Sequence, residues 1–270
     1  MLEEIGFFIL ILFKTTGIQL LGVLGIFFLL GYILSKLQEL THRNYLRSVG
    51  WKGILLTAWI GTPIHELGHT FLCYVFGHRV IKVALFEPNE ETGGLGYVNH
   101  SYRKDKVYQR IGNFFIGAAP MIFGSIILFT LLYFLLPNGQ EVFAPLNQQT
   151  SNIQAFLISL KETLFKLFSL ENLKTWEFWV FLYLAFCISS HIAPSKKDRE
   201  GMWDGFGWLV FILLIVNIVT LGVGYDITYY ILSLNHYLGI LVAIFTFAII
   251  ISTIHYLLST LILTPFRKIR

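Results

Sequence analysis

Charge is scarce in this chain. Only 13% of its 270 residues are Asp, Glu, Lys or Arg, against 55% hydrophobic, whereas a soluble domain carries about 25% charged residues. The mean hydropathy is +0.67, so an ordinary soluble enzyme is excluded and an integral membrane protein is implied. Cysteine is nearly missing as well: Cys73 and Cys187 are the only two, and both fall in apolar stretches where a packed thiol is the ordinary expectation. A disulfide framework is thereby excluded, and no cysteine-based metal site is implied. There is no internal repeat, no low-complexity tract, and no connector long enough to form a separate soluble domain. The opening MLEEI carries acids where a secretory leader carries bases, and no small-residue cleavage site follows, so a removed signal peptide is not expected.

What is present in quantity is long apolar sequence. Stretches able to cross about 30 Å of hydrocarbon as helices fall at 6–35, 52–77, 109–136, 174–193, 205–223 and 237–263. The expected architecture is all-α: a polytopic helical bundle of about six spans, forming one membrane domain over residues 1–270. An even count puts both termini on one side. The net charge of +4 could suggest nucleic acid, but the basic residues lie between spans and form no stripe on a soluble face, so no nucleic-acid partner is expected. With the N-terminus inside, Arg79, Lys82, Arg103, Lys104, Lys106, Arg110, Lys196, Lys197, Arg199, Arg267, Lys268 and Arg270 are cytoplasmic. Lys36, Arg43, Arg47, Lys52, Lys161, Lys166 and Lys174 are then outside. That excess favours a multi-pass cell-membrane protein with cytoplasmic termini.

Two connectors have character. In 137–173, Ile153, Phe156, Leu157, Leu160, Leu164 and Phe168 share one helical face, which fits a helix in the membrane interface or one packed along the bundle. Residues 79–107 are β-branched at first and then rich in Gly, Asn and Glu. The pattern predicts a small β-hairpin, with RVIKVALF and LGYVNHSY as strands and PNEETGG as the turn. Asn99 and His100 on its second strand are candidates to meet an extended peptide laid along an exposed strand edge.

Set in the second apolar stretch is IHELGH, residues 64–69. On a helix, residues four apart share a face, so His65 and His69 can place two imidazoles on one ion while Glu66 points at its open coordination position. Zinc there would lower the pKa of a water towards about 7. Glu66 would take its proton as general base and later pass it to the leaving amine. Ionisable groups at membrane depth are costly and are functional candidates by default, and Glu66 is the only acid between residues 40 and 86. The GTP at 61–63 is expected to interrupt the span, with Pro63 breaking the ladder and Thr62 capping a restarted helix beside a water-filled cavity. Gly68 leaves room beside the ion for a neighbouring helix or a substrate backbone.

A catalytic zinc site has three protein ligands and an open position. Candidates for the third lie in SSHIAPSKKDREGMWDG, 189–205: His191, Asp198, Glu200 and Asp204. With the N-terminus inside, the second and fourth spans both run inwards, which brings this segment towards the same side as His69 and permits Asp198. The chain resembles the site-2 protease family of intramembrane zinc metalloproteases in three places: HELGH at 65–69, GAAPMIFG at 117–124 and HIAPSKKDREG at 191–201. The resemblance implies one zinc ion held by His65, His69 and Asp198, and hydrolysis of peptide bonds in membrane-anchored proteins within or beside the lipid bilayer. The family's usual asparagine is replaced by His191, and Asp198 is followed by Arg-Glu-Gly. The chain has no insertion large enough for a PDZ-type substrate filter.

Two rival classes share these residues. Membrane zincins of the CAAX-processing and HtpX-like type use a distal Glu in an E-x-x-x-D pattern, which Glu200 and Asp204 match. A metal-binding transporter would spread its charges over several spans, and a non-catalytic scaffold would close the ion with four protein ligands. Outside the motif, His255, Asn217 and Asn113 are expected to serve inter-helix hydrogen bonding.

Overall fold

A computed structural model describes residues 2–148 and 152–266. Arg267, Lys268 and Arg270, counted above for orientation, lie outside the described residues. The chain opens with α1 (Leu2–Ser48), whose first turn carries Glu3 and Glu4 and whose last carries Arg47, each charge complementing the helix dipole. Gly50, at φ 76, makes the turn into α2 (Trp51–Val75). Two strands follow, β1 (Arg79–Ala84) and β2 (Tyr97–Ser101). They pair antiparallel from Arg79 with Ser101 to Ala84 with Tyr97, with an irregularity between Val80 and Lys82. Then come α3 (Val107–Leu135), α4 (Gly139–Asn147), α5 (Ile153–Leu167), α6 (Leu170–Leu173), α7 (Trp176–Ser189), α8 (Lys196–Gly222) and α9 (Thr228–Leu263).

Among the described residues, α1, α3, α8 and α9 are long and apolar enough to cross a membrane. The other two apolar stretches are helical as well. In α2 the run is diluted by His65, Glu66 and His69, and α7 has only 14 residues. A helical membrane bundle is therefore the architecture. Its centre is α7, where Phe178, Phe181, Ala185 and Ile188 are fully buried in one cluster with Leu128 and Leu132 of α3 and Phe245, Phe247 and Ile251 of α9. The outside is apolar too: Phe7, Leu10, Phe13 and Leu21 of α1 are exposed, as a lipid-facing helix requires. Polar pairs tie such helices where oil-on-oil contact gives no net driving force. Asn217 of α8 donates to Thr16 Oγ1 at 2.9 Å and Gln19 Oε1 at 2.7 Å on α1, and Asn44 of α1 donates to Ser259 Oγ at 3.0 Å on α9.

Two local expectations change. Helix α2 is not interrupted at residues 61–63 but runs through Pro63. Proline removes one ladder donor, and a helix held by neighbours on several sides tolerates that loss. Thr62 caps nothing: its buried Oγ1 has no hydrogen-bond partner among the described residues. In α5 the inward face is Ser159, Thr163 and Leu167, while Ile153, Leu157, Leu164 and Phe168 are exposed. Phe156 and Leu160 of the same face are half-buried, and Leu160 packs against the core, so the apolar face read from the sequence points partly outward and partly along the bundle.

Candidate metal centre

The site begins with the four-residue spacing of His65 and His69 on α2 and with what holds each ring. His65 Nδ1 lies 2.6 Å from the carbonyl of His191, and His69 Nδ1 lies 2.8 Å from the carbonyl of Ile116. A carbonyl oxygen only accepts, so each Nδ1 carries the hydrogen and donates it. Each neutral ring is thereby left with its lone pair on Nε2. These two lone-pair nitrogens face each other at 3.2 Å. Asp198 completes the group, with Oδ1 3.2 Å from His69 Nε2 and Oδ2 3.5 Å from His65 Nε2.

The two Nε2 atoms and the two Asp198 oxygens, 3.2–3.5 Å apart in these three pairs, repel unless a cation, a metal ion or a proton, lies among them. Zinc bonded to nitrogen and oxygen at about 2.0–2.1 Å in tetrahedral geometry sets its ligand atoms about 3.3 Å apart, so the donor set fits a single zinc ion.

The elements that carry these groups are forced close. Asp198 sits in the first turn of α8, where Ser195 is the N-cap: Asp198 N–H donates to Ser195 Oγ at 3.2 Å and Ser195 N–H donates to Asp198 Oδ2 at 2.7 Å. This capping box fixes the start of the helix and turns the carboxylate towards the histidines. Helix α3 then presses on that turn. A Cβ on Gly117 would stand 2.5 Å from the carbonyl oxygen of Asp198 and 2.3 Å from Met202 Cγ, so only glycine allows the approach. Gly68 serves α2 in the same way against Ala119 and Phe123 of α3. The room it leaves is filled by a helix, not by a substrate.

Glu66 is 7% exposed, and no hydrogen bond among the described residues engages its carboxylate. It lines a cavity of about 1100 Å³ together with His65, His69, Asp198, Gly96 and His100. The segment leading into β2 covers this side: a Cβ on Gly96 would lie 3.0 Å from Glu66 Cγ. His42 Nε2 and Thr62 Oγ1, both buried without a protein partner among the described residues, line the same cavity and make part of its wall polar. The His100 imidazole is pushed down to about 4, first by burial and then by the neighbouring ring of His78, so it is neutral in the cavity wall at physiological pH.

The remaining candidates are disposed differently. His191 is buried, and its Nε2 faces Thr57 Oγ1 at 3.1 Å. What it gives the site is its carbonyl. Asp204 is engaged with α3 and the loop before it, accepting from Arg110 at 2.9 Å, Asn113 at 3.0 Å and Tyr102 at 3.5 Å. Glu200 is exposed on the cavity rim. Among the described residues the donor group that includes the motif histidines contains Asp198 and neither of these acids. Asn99 is exposed on β2 and does not line the cavity, whereas Tyr97, Val98 and His100 do. The carbonyls of His191 and Ile116 escape sequence reasoning because a backbone acceptor leaves no residue signature. No protein-family model, curated protein or solved structure matches the chain.

Proposed function

We propose that the protein is an intramembrane zinc metalloprotease that hydrolyses a peptide bond of membrane-anchored proteins near the cytoplasmic face. The observation that carries this reading is the convergence of His65 Nε2, His69 Nε2 and the Asp198 carboxylate in one cavity with an unengaged, nearly buried Glu66. Three protein donors would leave a coordination position free, and the unengaged Glu66 beside that position, more than the donor count, is what suits the site to catalysis. Zinc bound there supplies a Lewis acid that polarises the scissile carbonyl and acidifies water.

The chain's own groups do the rest. The His191 and Ile116 carbonyls hold the two rings in the Nδ1–H form and orient their Nε2 atoms, an outer-shell role whose loss typically lowers metal affinity by about 10- to 100-fold. Glu66 accepts a proton from the attacking water and delivers it to the leaving amine nitrogen, so one carboxylate serves both halves of the hydrolysis. The segment leading into β2 walls the cavity beside Glu66, and a substrate in extended form has the backbone of Gly96, Tyr97 and Val98 to run along. The reading adds α2 and α7 to the four long apolar helices as shorter crossings, which makes six spans and places both termini in the cytoplasm. Membrane-anchored substrates then enter from the bilayer.

The Glu66→Gln variant tests the reading. It keeps the shape of the side chain and removes the base. Purified enzyme should retain its zinc and lose cleavage of a membrane-anchored reporter by about 100- to 10,000-fold; cleavage at the wild-type rate would overturn the assignment.

A further inference from the structure

One turn beyond His69, the same face of α2 carries Cys73, which is fully buried and makes no hydrogen bond through its sulfur among the described residues. The helix then closes on itself. Gly77, at φ 68, takes the left-handed conformation, its N–H donates to the carbonyl of Tyr74 at 3.1 Å, and the N–H of His78 donates to the carbonyl of Cys73 at 2.8 Å. This termination is a Schellman motif, and it returns His78 to the side of Cys73. The third member comes from the strand pair: His100 of β2 sets its Nδ1 3.0 Å from Nδ1 of His78.

The hydrogen positions decide what this cluster can do. His78 Nε2 lies 2.8 Å from the carbonyl of Gln109, so Nε2 carries the hydrogen and Nδ1 carries the lone pair. That lone pair points at His100. The Cys73, His78 and His100 donor atoms all lie within 4.8 Å of one another. A tetrahedral ion with Zn–N of about 2.0–2.1 Å and Zn–S of about 2.3 Å spaces its ligand atoms about 3.3–3.6 Å apart. The His78 ring is held further by stacking on Tyr102, with centroids 5.0 Å apart and planes at 20°.

We propose that Cys73, His78 and His100 form a second metal site, separate from the His65–His69–Asp198 group, that takes a thiolate-preferring divalent ion such as zinc and clamps the strand pair to the end of α2. One thiolate and two imidazoles are a donor set chosen by zinc over magnesium, calcium or manganese. Two ligands come from α2 and its terminating turn and one from β2, so the ion joins elements that sequence keeps more than 20 residues apart. The same strand pair places Gly96 against Glu66, which makes the clamp a device for holding that wall in position. This inference does not depend on proteolysis or on metal at the first group.

Cobalt(II) provides the test, because a cysteine thiolate bound to cobalt gives a charge-transfer absorption that imidazoles and carboxylates do not. The full-length protein in detergent, stripped of metal and titrated with cobalt, is compared with His65→Ala/His69→Ala, with Cys73→Ser and with His100→Ala. The double histidine variant is expected to keep the thiolate-to-cobalt band and about one equivalent of metal. Cys73→Ser should lose the band while remaining folded, and His100→Ala, altered only on the strand pair, should weaken cobalt binding by about 10-fold or more. Absence of the band from the wild type would overturn the proposal, leaving an ordinary hydrogen bond between His78 and His100. So would a band that survives Cys73→Ser. Failure of the first site reads out differently, as unchanged metal content in the double histidine variant.

Discussion

The pair of half-buried His65 and buried His69, and the single buried His255, flank the segment that links α7 to α8, and they differ in one chemical respect. On one side His65 and His69 give their Nδ1 hydrogens to backbone carbonyls. On the other side His255 faces Ser190 Oγ at 2.7 Å and Tyr45 OH at 2.9 Å, and its ring stacks on Phe186 at 4.6 Å. Ser190 Oγ gives its own hydrogen to the Phe186 carbonyl at 2.7 Å and accepts from His255 Nδ1, while the Tyr45 hydroxyl donates to Nε2, so both ring nitrogens are satisfied. A carbonyl only accepts, so it fixes the hydrogen on the nitrogen it meets and sends the lone pair elsewhere. The pair is therefore built to present lone pairs, and His255 is built to be satisfied. His191 belongs to both sides, with its ring on the hydroxyl of Thr57 and its carbonyl on His65.

That contrast can be broken in order of expected effect. Replacing Asp198 by Asn removes the charge that balances the cation while keeping the side chain's shape; zinc affinity should fall by at least about 100-fold, measured by competition with a chelator. The same replacement at a solvated helix end elsewhere, such as Asp226, should leave affinity unchanged. Gly117→Ala drives a methyl group into the first turn of α8, and overpacking of this kind costs about 1–3 kcal/mol; a thermal melt should show the loss, and zinc affinity should fall with it because Asp198 is displaced. On the other side, His255→Phe keeps the stacked ring and deprives Ser190 and Tyr45 of a partner, at about 1–3 kcal/mol, with zinc content unchanged. Thr57→Val should have the smallest effect. It strands the ring of His191 at a cost near the lower end of the same range and leaves the His191 carbonyl, and hence the metal group, in place.

The comparison also explains how much could be read from sequence. The apolar stretches gave helices because a 20-residue run with few charges has only one way to satisfy its backbone in lipid. His65, Glu66 and His69 announce themselves, since a helix brings positions i, i+1 and i+4 onto neighbouring parts of one side. Asp198 is harder. Its sequence signal is the S-x-x-D of a capping box at Ser195, which marks a helix start and says nothing of what the carboxylate faces. Topology and a family resemblance singled it out from three competitors, and Asp204 is separated from it only by the contacts of Arg110 and Asn113. Pro63 misled because a helix break depends on packing around the proline as well as on the residue itself. From the sequence Cys73 reads as a packed thiol, because His78 and His100 have no fixed spacing from it in the chain; a terminating turn and a strand register bring them together.

The account rests on one cation held by His65, His69 and Asp198, and zinc analysis in a Cys73→Ser background addresses it most directly. With the second cluster silenced, the protein should bind about one equivalent of zinc, and His69→Ala in that background should bind none. An equal zinc content in the two proteins, or a metal-free Cys73→Ser protein in which Asp198 simply pairs with a protonated imidazole, would contradict it.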